Sequence, residues 1–325
     1  MSTEQLPKIF VARTLLGDAL ERLEQVGDVF VWPEPRPPSA AEFIEHAASA
    51  DAIVTMVTDR VDEAVLEHCP SLRVVANVAA GYDNFDVPAL TRRRIPAGNT
   101  PDVLTNSTAD MAFALLLASA RRVVEGRDAV LAGEWTVWDP ALMLGLELAG
   151  STLGIVGMGR IGQAVAKRAL AFSMRVIATS RTERPVEGVS YVDLETLLRE
   201  SDVVSLHVAL SEATRHLISV DELSAMKPSA ILINTARGAV VDQVALAAAL
   251  TNHTIGGAGL DVFEREPLDL EDPILRAPNC IVVPHIAAST YATRNAMGHL
   301  AADNVIAGLA GERLPHCINP EVYDR

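Results

Sequence analysis

The sequence lacks paired cysteines and long apolar runs, and each absence excludes a class of protein. Its 325 residues include three cysteines and no CxxC pair, so the sequence indicates neither a disulfide framework nor a zinc site. The longest apolar stretch, MAFALLLASA from Met111, is about half of a membrane span. The polar start MSTEQLPK has no apolar core of the kind found in signal peptides. We therefore expect a cytoplasmic protein without a bound metal.

The sequence is also poor in positive charge. Its 42 acidic residues outnumber its 27 lysines and arginines, and the formal net charge is -15. Because binding to nucleic-acid phosphates requires a basic surface, we expect no nucleic-acid partner. The same charge disfavours anionic membrane surfaces. With 49% hydrophobic residues, the composition indicates a compact acidic protein, and the length indicates about two domains.

Short β-branched segments alternate with helical patterns along most of the chain. The first part contains the strand-like segments KIFVAR, DVFVW, AIVTMV and RVVANVA. From residue 151 the alternation restarts and includes STLGIVG, MRVIATS, DVVSLHV, AILINTA, GGAGLDV and CIVVPH. Strands that alternate with helices are typical of parallel sheets covered on both faces. The pattern predicts an α/β protein with two doubly wound parallel-sheet domains.

Two longer helical patterns bear on the domain boundaries. The first runs from about Thr105 to Glu134, and we expect Gly126 to interrupt this helix and Gly133 to end it. The second, YATRNAMGHLAADNVIAGLAG, follows the last strand and can return the chain to the first domain. We therefore predict a discontinuous first domain of residues 1–100 and 290–325, and a second domain of residues 101–289.

A glycine-rich turn, GMGRIG, follows the first strand of the second domain. Its three glycines have the spacing G-x-G-x-x-G between a strand and a helix. In that context they permit a tight turn, a close approach of the backbone to a pyrophosphate, and close packing of helix on strand. The alternative is a glycine-rich turn without a ligand. The candidate cofactor-binding residues of this turn are Gly157, Met158, Gly159, Arg160, Ile161 and Gly162.

Three later segments complete a pattern with this turn: NTARG at residues 234–238, GLDVFEREP at 259–267 and PHI at 284–286. In this order they resemble the D-2-hydroxyacid dehydrogenase family. The resemblance covers nearly the whole chain, and GEWTVWDPALMLGLELAGSTLGIVGMGRIGQ is most similar to glyoxylate and hydroxypyruvate reductases. It implies a flavodoxin-like substrate-binding domain and a Rossmann-like dinucleotide-binding domain. It also implies reduction of a short 2-oxo acid to the D-2-hydroxy acid (glycolate or D-glycerate) with NAD(P)H.

The resemblance assigns catalytic roles to Arg237, Glu266 and His285. A guanidinium has a planar fork suited to a carboxylate, so Arg237 would bind the substrate carboxylate and polarise the adjacent carbonyl. Reduction places a proton on the carbonyl oxygen, which a histidine that titrates near neutral pH can give and take back. Glu266 would orient the imidazole and stabilise its charged form. Taken singly, these residues could instead form a surface ion pair, a solvated carboxylate and a packed histidine.

The family pattern implies further contacts. The amide groups of Ala80 and Gly81 match a loop that binds the substrate carboxylate. Trp138 matches an aromatic residue that reaches toward the partner subunit's site, although it could equally pack in a dimer contact. Asp261 matches a position that holds the nicotinamide carboxamide. Positions that match other parts of the cofactor site are Thr108, His207, Thr235 and Ala287.

The chain departs from the family pattern at two positions. It has Ala209 where an H-x-P motif would place proline, and Ala287 where PHIG would place glycine. The methyl group of Ala287 adds bulk near the nicotinamide position. Neither departure changes the catalytic groups.

The tip of the second strand of the dinucleotide-binding domain bears on the choice of cofactor. NAD-type units usually have Asp or Glu there, which accepts a hydrogen bond from the ribose 2′-hydroxyl. Here the tip is Ser180, followed by Arg181 and Thr182, and these groups suit a 2′-phosphate. The sequence therefore favours NADP(H), with NAD(H) possible. Glu183 is the counter-argument, since it lies within the approximate spacing.

The residues disfavour two other activities of this fold, whereas a dinucleotide-sensing role and a dehydrogenase for another 2-hydroxy acid stay open as alternatives. Formate dehydrogenases pair their histidine with glutamine rather than with a residue like Glu266, and phosphite dehydrogenases carry a lysine where Ala79 stands. A co-repressor branch senses dinucleotide and keeps the Arg/Glu/His set, but has a long disordered tail. From the resemblance we expect a homodimer built around residues from about Thr105 to Gly150. The rank order of 2-oxo acids stays open, because a methylene or hydroxyl contributes only about 1–3 kcal/mol in an apolar pocket.

Overall fold

The computed structural model describes residues 6–324, which form two compact units. The first unit comprises the chain up to Leu104 and again from Ser289, and the second runs from Thr105 to Ala288. The sequence pattern predicts the domain boundaries at residues 100/101 and 289/290. Each unit contains one parallel β-sheet with helices packed against it. The predicted α/β class with two Rossmann-like parallel-sheet domains is confirmed.

The sheet of the first unit has the strand order β2-β1-β3-β4-β5, which is the flavodoxin-like order. Its strands are β1 (Lys8–Val11), β2 (Asp28–Val31), β3 (Ala52–Thr55), β4 (Val74–Asn77) and β5 (Ala97–Gly98). The helices between them are α1 (Ala19–Glu24), α2 (Ala40–Ala47), α3 (Glu63–Leu66) and α4 (Val87–Arg92). Every residue of β3 and β4 is buried, as expected for central strands covered on both faces.

The second unit begins with two helices and continues with alternating strands and helices. Its helices are α5 (Thr105–Ala120), α6 (Val123–Leu131), α7 (Arg160–Ala171), α8 (Leu194–Glu200), α9 (Val220–Ala225) and α10 (Gln243–Thr251). Its strands are β6 (Thr152–Val156), β7 (Arg175–Thr179), β8 (Val189–Tyr191), β9 (Val203–Leu206), β10 (Ile231–Asn234), β11 (Gly257–Leu260) and β12 (Cys280–Val282). Two 3₁₀ turns, Gly238–Val240 and Pro273–Arg276, complete the unit.

The strand order of this second sheet indicates where a ligand would bind. The order is β12-β11-β10-β9-β6-β7-β8, so chain connections from β6 run in one direction and those from β9 in the other. β6 and β9 lie side by side, with Val156 opposite Leu206. In doubly wound sheets ligands bind outside the carboxyl ends of the strands at this reversal. The glycine turn follows β6, so it lies at that point.

The helical pattern from Thr105 to Glu134 is divided differently from our prediction. The break lies at Arg122, whose φ of 51° is in the left-handed region and separates α5 from α6. Gly126, expected to interrupt the helix, lies inside α6, because one helical glycine costs only about 1 kcal/mol and does not by itself end a helix. Gly133 has a φ of 72° and follows the last turn of α6, so the predicted end is confirmed.

A long helix, α11 (Tyr291–Leu309), follows the second unit in the chain and belongs to the first. It packs against β4 and α1. Its buried residue Asn304 donates to the carbonyl of Asn99 at 3.1 Å and accepts from the amide of His316 at 3.1 Å, so it ties β5 to the C-terminal segment. Between residues 6 and 324, no helix is long and apolar enough to cross a membrane.

Candidate active site

The imidazole of His285 is paired with the carboxylate of Glu266. His285 lies three residues beyond the end of β12, after Pro284, which cannot donate a hydrogen bond to a sheet and so marks the end of the strand. His285 has a φ of 52°, a left-handed conformation that non-glycine residues adopt mainly where the surroundings enforce it. Its Nδ1 lies 2.6 Å from Glu266 Oε2. The turn after β12 therefore delivers the imidazole to a carboxylate on a different loop.

The charge state of Glu266 follows from its surroundings. Burial raises its pKa, but the hydrogen bond and charge of His285, the amide of Phe263 and the charge of Arg237 outweigh burial and hold the pKa below its usual value. The Phe263 amide donates to Glu266 Oε1 at 3.0 Å. Because the carboxylate is ionised at neutral pH and can only accept, the Nδ1–H of His285 is the donor. The other ring nitrogen, Nε2, is not engaged by Glu266.

Asp261, just after β11, fixes the loop that follows His285. It is fully buried, and its two carboxylate oxygens accept from the amides of Ile286 at 2.6 Å and Ala287 at 2.9 Å. Burial raises the pKa of Asp261, and the two amide hydrogen bonds oppose that rise. The Ala287 carbonyl in turn accepts from Ser107 Oγ at 2.6 Å. This supporting role of Asp261 was not foreseen from the sequence, and it leaves lone pairs of the carboxylate free for a further donor.

Arg237 is placed by two neighbours in the NTARG segment. Asn234, the buried last residue of β10, donates from Nδ2 to the Arg237 carbonyl at 2.9 Å and accepts from the Ala236 amide at 3.0 Å. A Cβ on Gly238 would lie 1.8 Å from the carbonyl carbon of Phe263, so only glycine allows the loop of Arg237 to pack on the loop of Glu266. The structure therefore brings the three predicted catalytic residues into one cluster.

A second histidine and carboxylate, His216 and Glu264, lie close together beside the same two loops. His216 Nε2 lies 2.9 Å from Glu264 Oε1, and the His216 amide donates to the carbonyl of Ala239, in the turn after Arg237, at 2.8 Å. Glu264 and Gln243 exchange two hydrogen bonds of 3.1 Å between backbone amides and side chains. Neither His216 nor Gln243 was identified from the sequence as part of the site. No local pattern marks them, because their partners are distant in the chain.

The glycine turn has the geometry that a pyrophosphate requires. Gly157 has a φ of 100°, and a Cβ there would lie 2.6 Å from the carbonyl oxygen of His207. A Cβ on Gly162 would lie 2.1 Å from the Gly157 carbonyl oxygen, whereas a Cβ on Gly159 would meet nothing within 4 Å. No side chain caps the N-terminus of α7 at Gly159. The turn thus leaves open backbone at a helix N-terminus, where an anion is stabilised. Met158 is buried, Ile161 half-buried and Arg160 exposed.

The loop after β7 carries no carboxylate at its first three positions. Ser180 is half-buried, while Arg181 and Thr182 are exposed. Arg181 forms no ion pair within the described part of the chain. The hydroxyl of Tyr191 anchors the far side of the loop, since it donates to the carbonyl of Arg184 at 2.7 Å and accepts from its amide at 3.2 Å.

The other predicted cofactor positions lie in the second unit as well. The Thr235 hydroxyl is buried and has no hydrogen-bond partner among residues 6–324, as expected for a group that meets a ligand. Thr108 is buried on α5. His207 follows β9, its Nε2 lies 2.8 Å from Ser205 Oγ, and burial lowers its pKa to about 4. His207 is therefore neutral at physiological pH and supports the loop.

Three predicted substrate-binding residues lie apart from this cluster in the chain. Ala80 and Gly81 follow β4 in the first unit and are half-buried. Trp138 lies in the second unit with 78% of its surface exposed, in a segment after α6 that is exposed throughout. Across the described chain, no three histidine, cysteine or acidic side chains are grouped in a way that could hold a metal ion.

Comparison with known proteins identifies the family. The model of the D-isomer specific 2-hydroxyacid dehydrogenase NAD-binding domain matches residues 113–287. The chain is 48% identical over 324 residues to a glyoxylate reductase of Thermococcus litoralis, covering 97% of this chain and 98% of the relative. It is also similar to the crystal structure of a Thermus thermophilus protein, with a TM-score of 0.91 and 46% identity over 96% and 99% of the two chains.

A third comparison concerns a structure with bound cofactor. The NADPH-dependent glyoxylate/hydroxypyruvate reductase of Sinorhizobium meliloti, solved with NADP and malonate, has a TM-score of 0.86 and 34% identity, and 98% of each chain is covered. The fold and site define a nicotinamide-dependent dehydrogenase. The chain belongs to the D-isomer specific 2-hydroxyacid dehydrogenase family.

Proposed function

We propose that the protein reduces short 2-oxo acids, glyoxylate and hydroxypyruvate, to glycolate and D-glycerate. The pairing of His285 with an ionised Glu266 beside Arg237 carries this proposal. The names of its relatives, which include glyoxylate reductases, agree with it. In this assignment the first unit binds the substrate and the second binds the dinucleotide.

His285 supplies the proton in this reaction. Its Nδ1–H is engaged by Glu266, so Nε2 faces the carbonyl oxygen and donates to it in the reductive direction. Ionised Glu266 stabilises the imidazolium before transfer. Arg237 binds the substrate carboxylate through its planar fork and polarises the carbonyl. The amides of Ala80 and Gly81 also bind the carboxylate. The nicotinamide, when bound, supplies the hydride.

The residues around the glycine turn fit a dinucleotide. Open backbone at Gly159 and the uncapped start of α7 suit the pyrophosphate. The unpartnered Thr235 hydroxyl and the lone pairs of Asp261 suit the nicotinamide end. Ser180 and Arg181, with Thr182, suit a 2′-phosphate, so we propose NADPH as the preferred cofactor.

The proposed reaction is tested by the loss of nicotinamide absorbance with a panel of 2-oxo acids and both cofactors. We expect turnover with glyoxylate and hydroxypyruvate, and a loss of about 10²–10⁴-fold in His285→Ala with cofactor affinity retained. Cofactor binding without turnover on any 2-oxo acid overturns the proposal and favours a dinucleotide-sensing role.

We also propose a homodimer through the segment that follows α5. α5 itself packs its apolar residues into the core of its unit, whereas α6 has no buried residue. The next stretch exposes Trp135 and Trp138, with 59% and 78% of their surfaces accessible. These exposed aromatic side chains, which lie close together in the chain, support an interaction site in this segment. Light scattering at micromolar concentration should give twice the mass of one chain, and Trp138→Glu should shift it toward one chain. A native monomer contradicts the proposal.

A further inference from the structure

In the loop after β4, three successive carbonyl groups are each held by a hydrogen bond. Three successive carbonyl oxygens each accept one hydrogen bond from within the first unit: that of Ala79 from the Thr100 amide at 2.9 Å, that of Ala80 from Asn99 Nδ2 at 2.7 Å, and that of Gly81 from Asn77 Nδ2 at 3.0 Å. Two of the three donors are asparagine side chains. Two of the three peptide planes are therefore held by side chains, and the third is held by a backbone amide.

The fixed carbonyls determine where the amide groups point. The peptide bonds of the loop are trans, so the N–H of each following residue is directed opposite to the held C=O. The amides of Ala80, Gly81 and Tyr82 thus point away from their supporting donors. None of them donates to an acceptor within residues 6–324. Successive backbone amides in turn conformations form concavities that bind anions.

The two asparagines are themselves held rigidly. Asn77 is fully buried, its Oδ1 accepts from Thr55 Oγ1 at 3.1 Å, and its Nδ2 also donates to Asn84 Oδ1 at 2.9 Å. The backbone of Asn99 is held on both sides, since its carbonyl accepts from Asn304 and its amide donates to the carbonyl of residue 316 at 3.2 Å. The side chains that hold the loop are therefore positioned by the protein itself.

We infer that Asn77 and Asn99 are positioning residues for the substrate carboxylate, and that Tyr82 supplies a third amide beside those of Ala80 and Gly81. The inference rests on the proposed function, since the anion is the carboxylate of the 2-oxo acid. Donors oriented in advance need no reorganisation when the substrate binds. Loss of either asparagine releases one peptide plane, so substrate affinity falls while cofactor affinity, set in the other unit, does not.

The test uses Asn99→Asp and Asn77→Asp, which keep the shape of the side chain and replace the donor with an acceptor. The measurements are KM for glyoxylate, the inhibition constant of oxamate as an unreactive analogue, the Kd of NADPH and the Tm. We expect KM and the oxamate constant to rise together by about ten- to a hundredfold, with the Kd of NADPH unchanged. The matched control is Asn319→Asp, a buried asparagine of the same unit that bonds to the amide of Ala97 and the carbonyl of Ile95 instead.

The outcomes separate this inference from the proposed function. If the native enzyme turns over no 2-oxo acid, the proposed function fails. If the native enzyme is active and both Asp variants keep its KM, or if Asn319→Asp raises KM equally, the inference is overturned. Should the variants not fold, ¹⁵N-tyrosine labelling of the native protein decides. The Tyr82 amide signal is identified by its loss in Tyr82→Phe and should shift on addition of oxamate. A signal that does not shift would show that the Tyr82 amide does not bind the carboxylate.

Discussion

The Nδ1 atom of His285 lies 2.6 Å from Glu266 Oε2, although the two residues are 19 positions apart and lie on different loops. The Phe263 amide fixes the second oxygen of the carboxylate, and Asp261 fixes the loop beyond the imidazole. Contacts with neighbouring loop residues therefore hold both Glu266 and the segment that carries His285. This arrangement leaves the other ring nitrogen of His285, Nε2, unengaged by Glu266.

Glu266→Gln should change the pH dependence of reduction. Glutamine can still hydrogen-bond the imidazole but does not stabilise its positive charge. Since reduction needs the protonated ring, the alkaline limb of the kcat/KM profile should move to lower pH, with a loss of about tenfold or more at neutral pH. Glu264→Gln, on the same loop, is the comparison. A profile that superimposes on that of the native enzyme would remove Glu266 from the acid–base pair.

Arg237→Lys should raise KM for glyoxylate and lower kcat together. An ammonium group is a point charge and does not reproduce the bidentate fork, so we expect kcat/KM to fall by about a hundredfold. Arg265→Lys, an exposed arginine near Glu266, is the matched control and should leave both constants unchanged. Equal kcat/KM in Arg237→Lys and the native enzyme would argue against the assigned role.

Arg181→Ala should reduce kcat/KM for NADPH by about ten- to a hundredfold and leave that for NADH nearly unchanged. The reason is that the guanidinium meets the 2′-phosphate, which NADH lacks. Arg184→Ala is the control, because the backbone of Arg184 is held by Tyr191 and its side chain is exposed. A native preference for NADH, or a preference for NADPH that survives the loss of Arg181, would contradict this phosphate site.

Gly238→Ala should destabilise the second unit and lower kcat. The added methyl would lie 1.8 Å from the carbonyl carbon of Phe263, and relief of the clash separates the loops of Arg237 and Glu266. Overpacking of this kind costs about 1–3 kcal/mol of unfolding free energy. Gly126→Ala, inside α6 with its nearest neighbour at 3.7 Å, is the control and should raise the Tm slightly. Thermal unfolding that ranks the two variants alike would show that the contact is not needed.

His207 should make stability depend on pH. Burial lowers its pKa from 6.5 to about 4, so between these values the unfolded chain binds a proton that the folded chain does not. The contribution is complete above pH 6.5 and is lost as the pH falls toward 4. His207→Gln should flatten the decline of unfolding free energy over that range, measured by denaturant titration. An identical slope in both proteins would mean that folding does not lower the pKa of His207.

Much of the fold follows from local pattern. The alternation of apolar strands with helical segments determines two parallel sheets, because each segment's periodicity selects its own secondary structure. The glycine turn could also be predicted, because the spacing of its three glycines between a strand and a helix reflects three local steric requirements. The position of the break between α5 and α6 could not be predicted from the sequence. Gly126 is tolerated in a helix, and Arg122 adopts a left-handed conformation that arginine does not favour.

The candidate site divides in the same way. The motifs NTARG, VFEREP and PHI single out Arg237, Glu266 and His285, because each is a short stretch of chain with a family pattern. Only the tertiary structure decided that Glu266 faces His285 while Glu264 faces His216, and that Asp261 fixes the loop after the imidazole. It alone revealed that Asn77 and Asn99 donate to the carbonyl groups of Gly81 and Ala80 after β4. These contacts join residues far apart in sequence, and their geometry is set by strand register and loop packing, which no local pattern encodes.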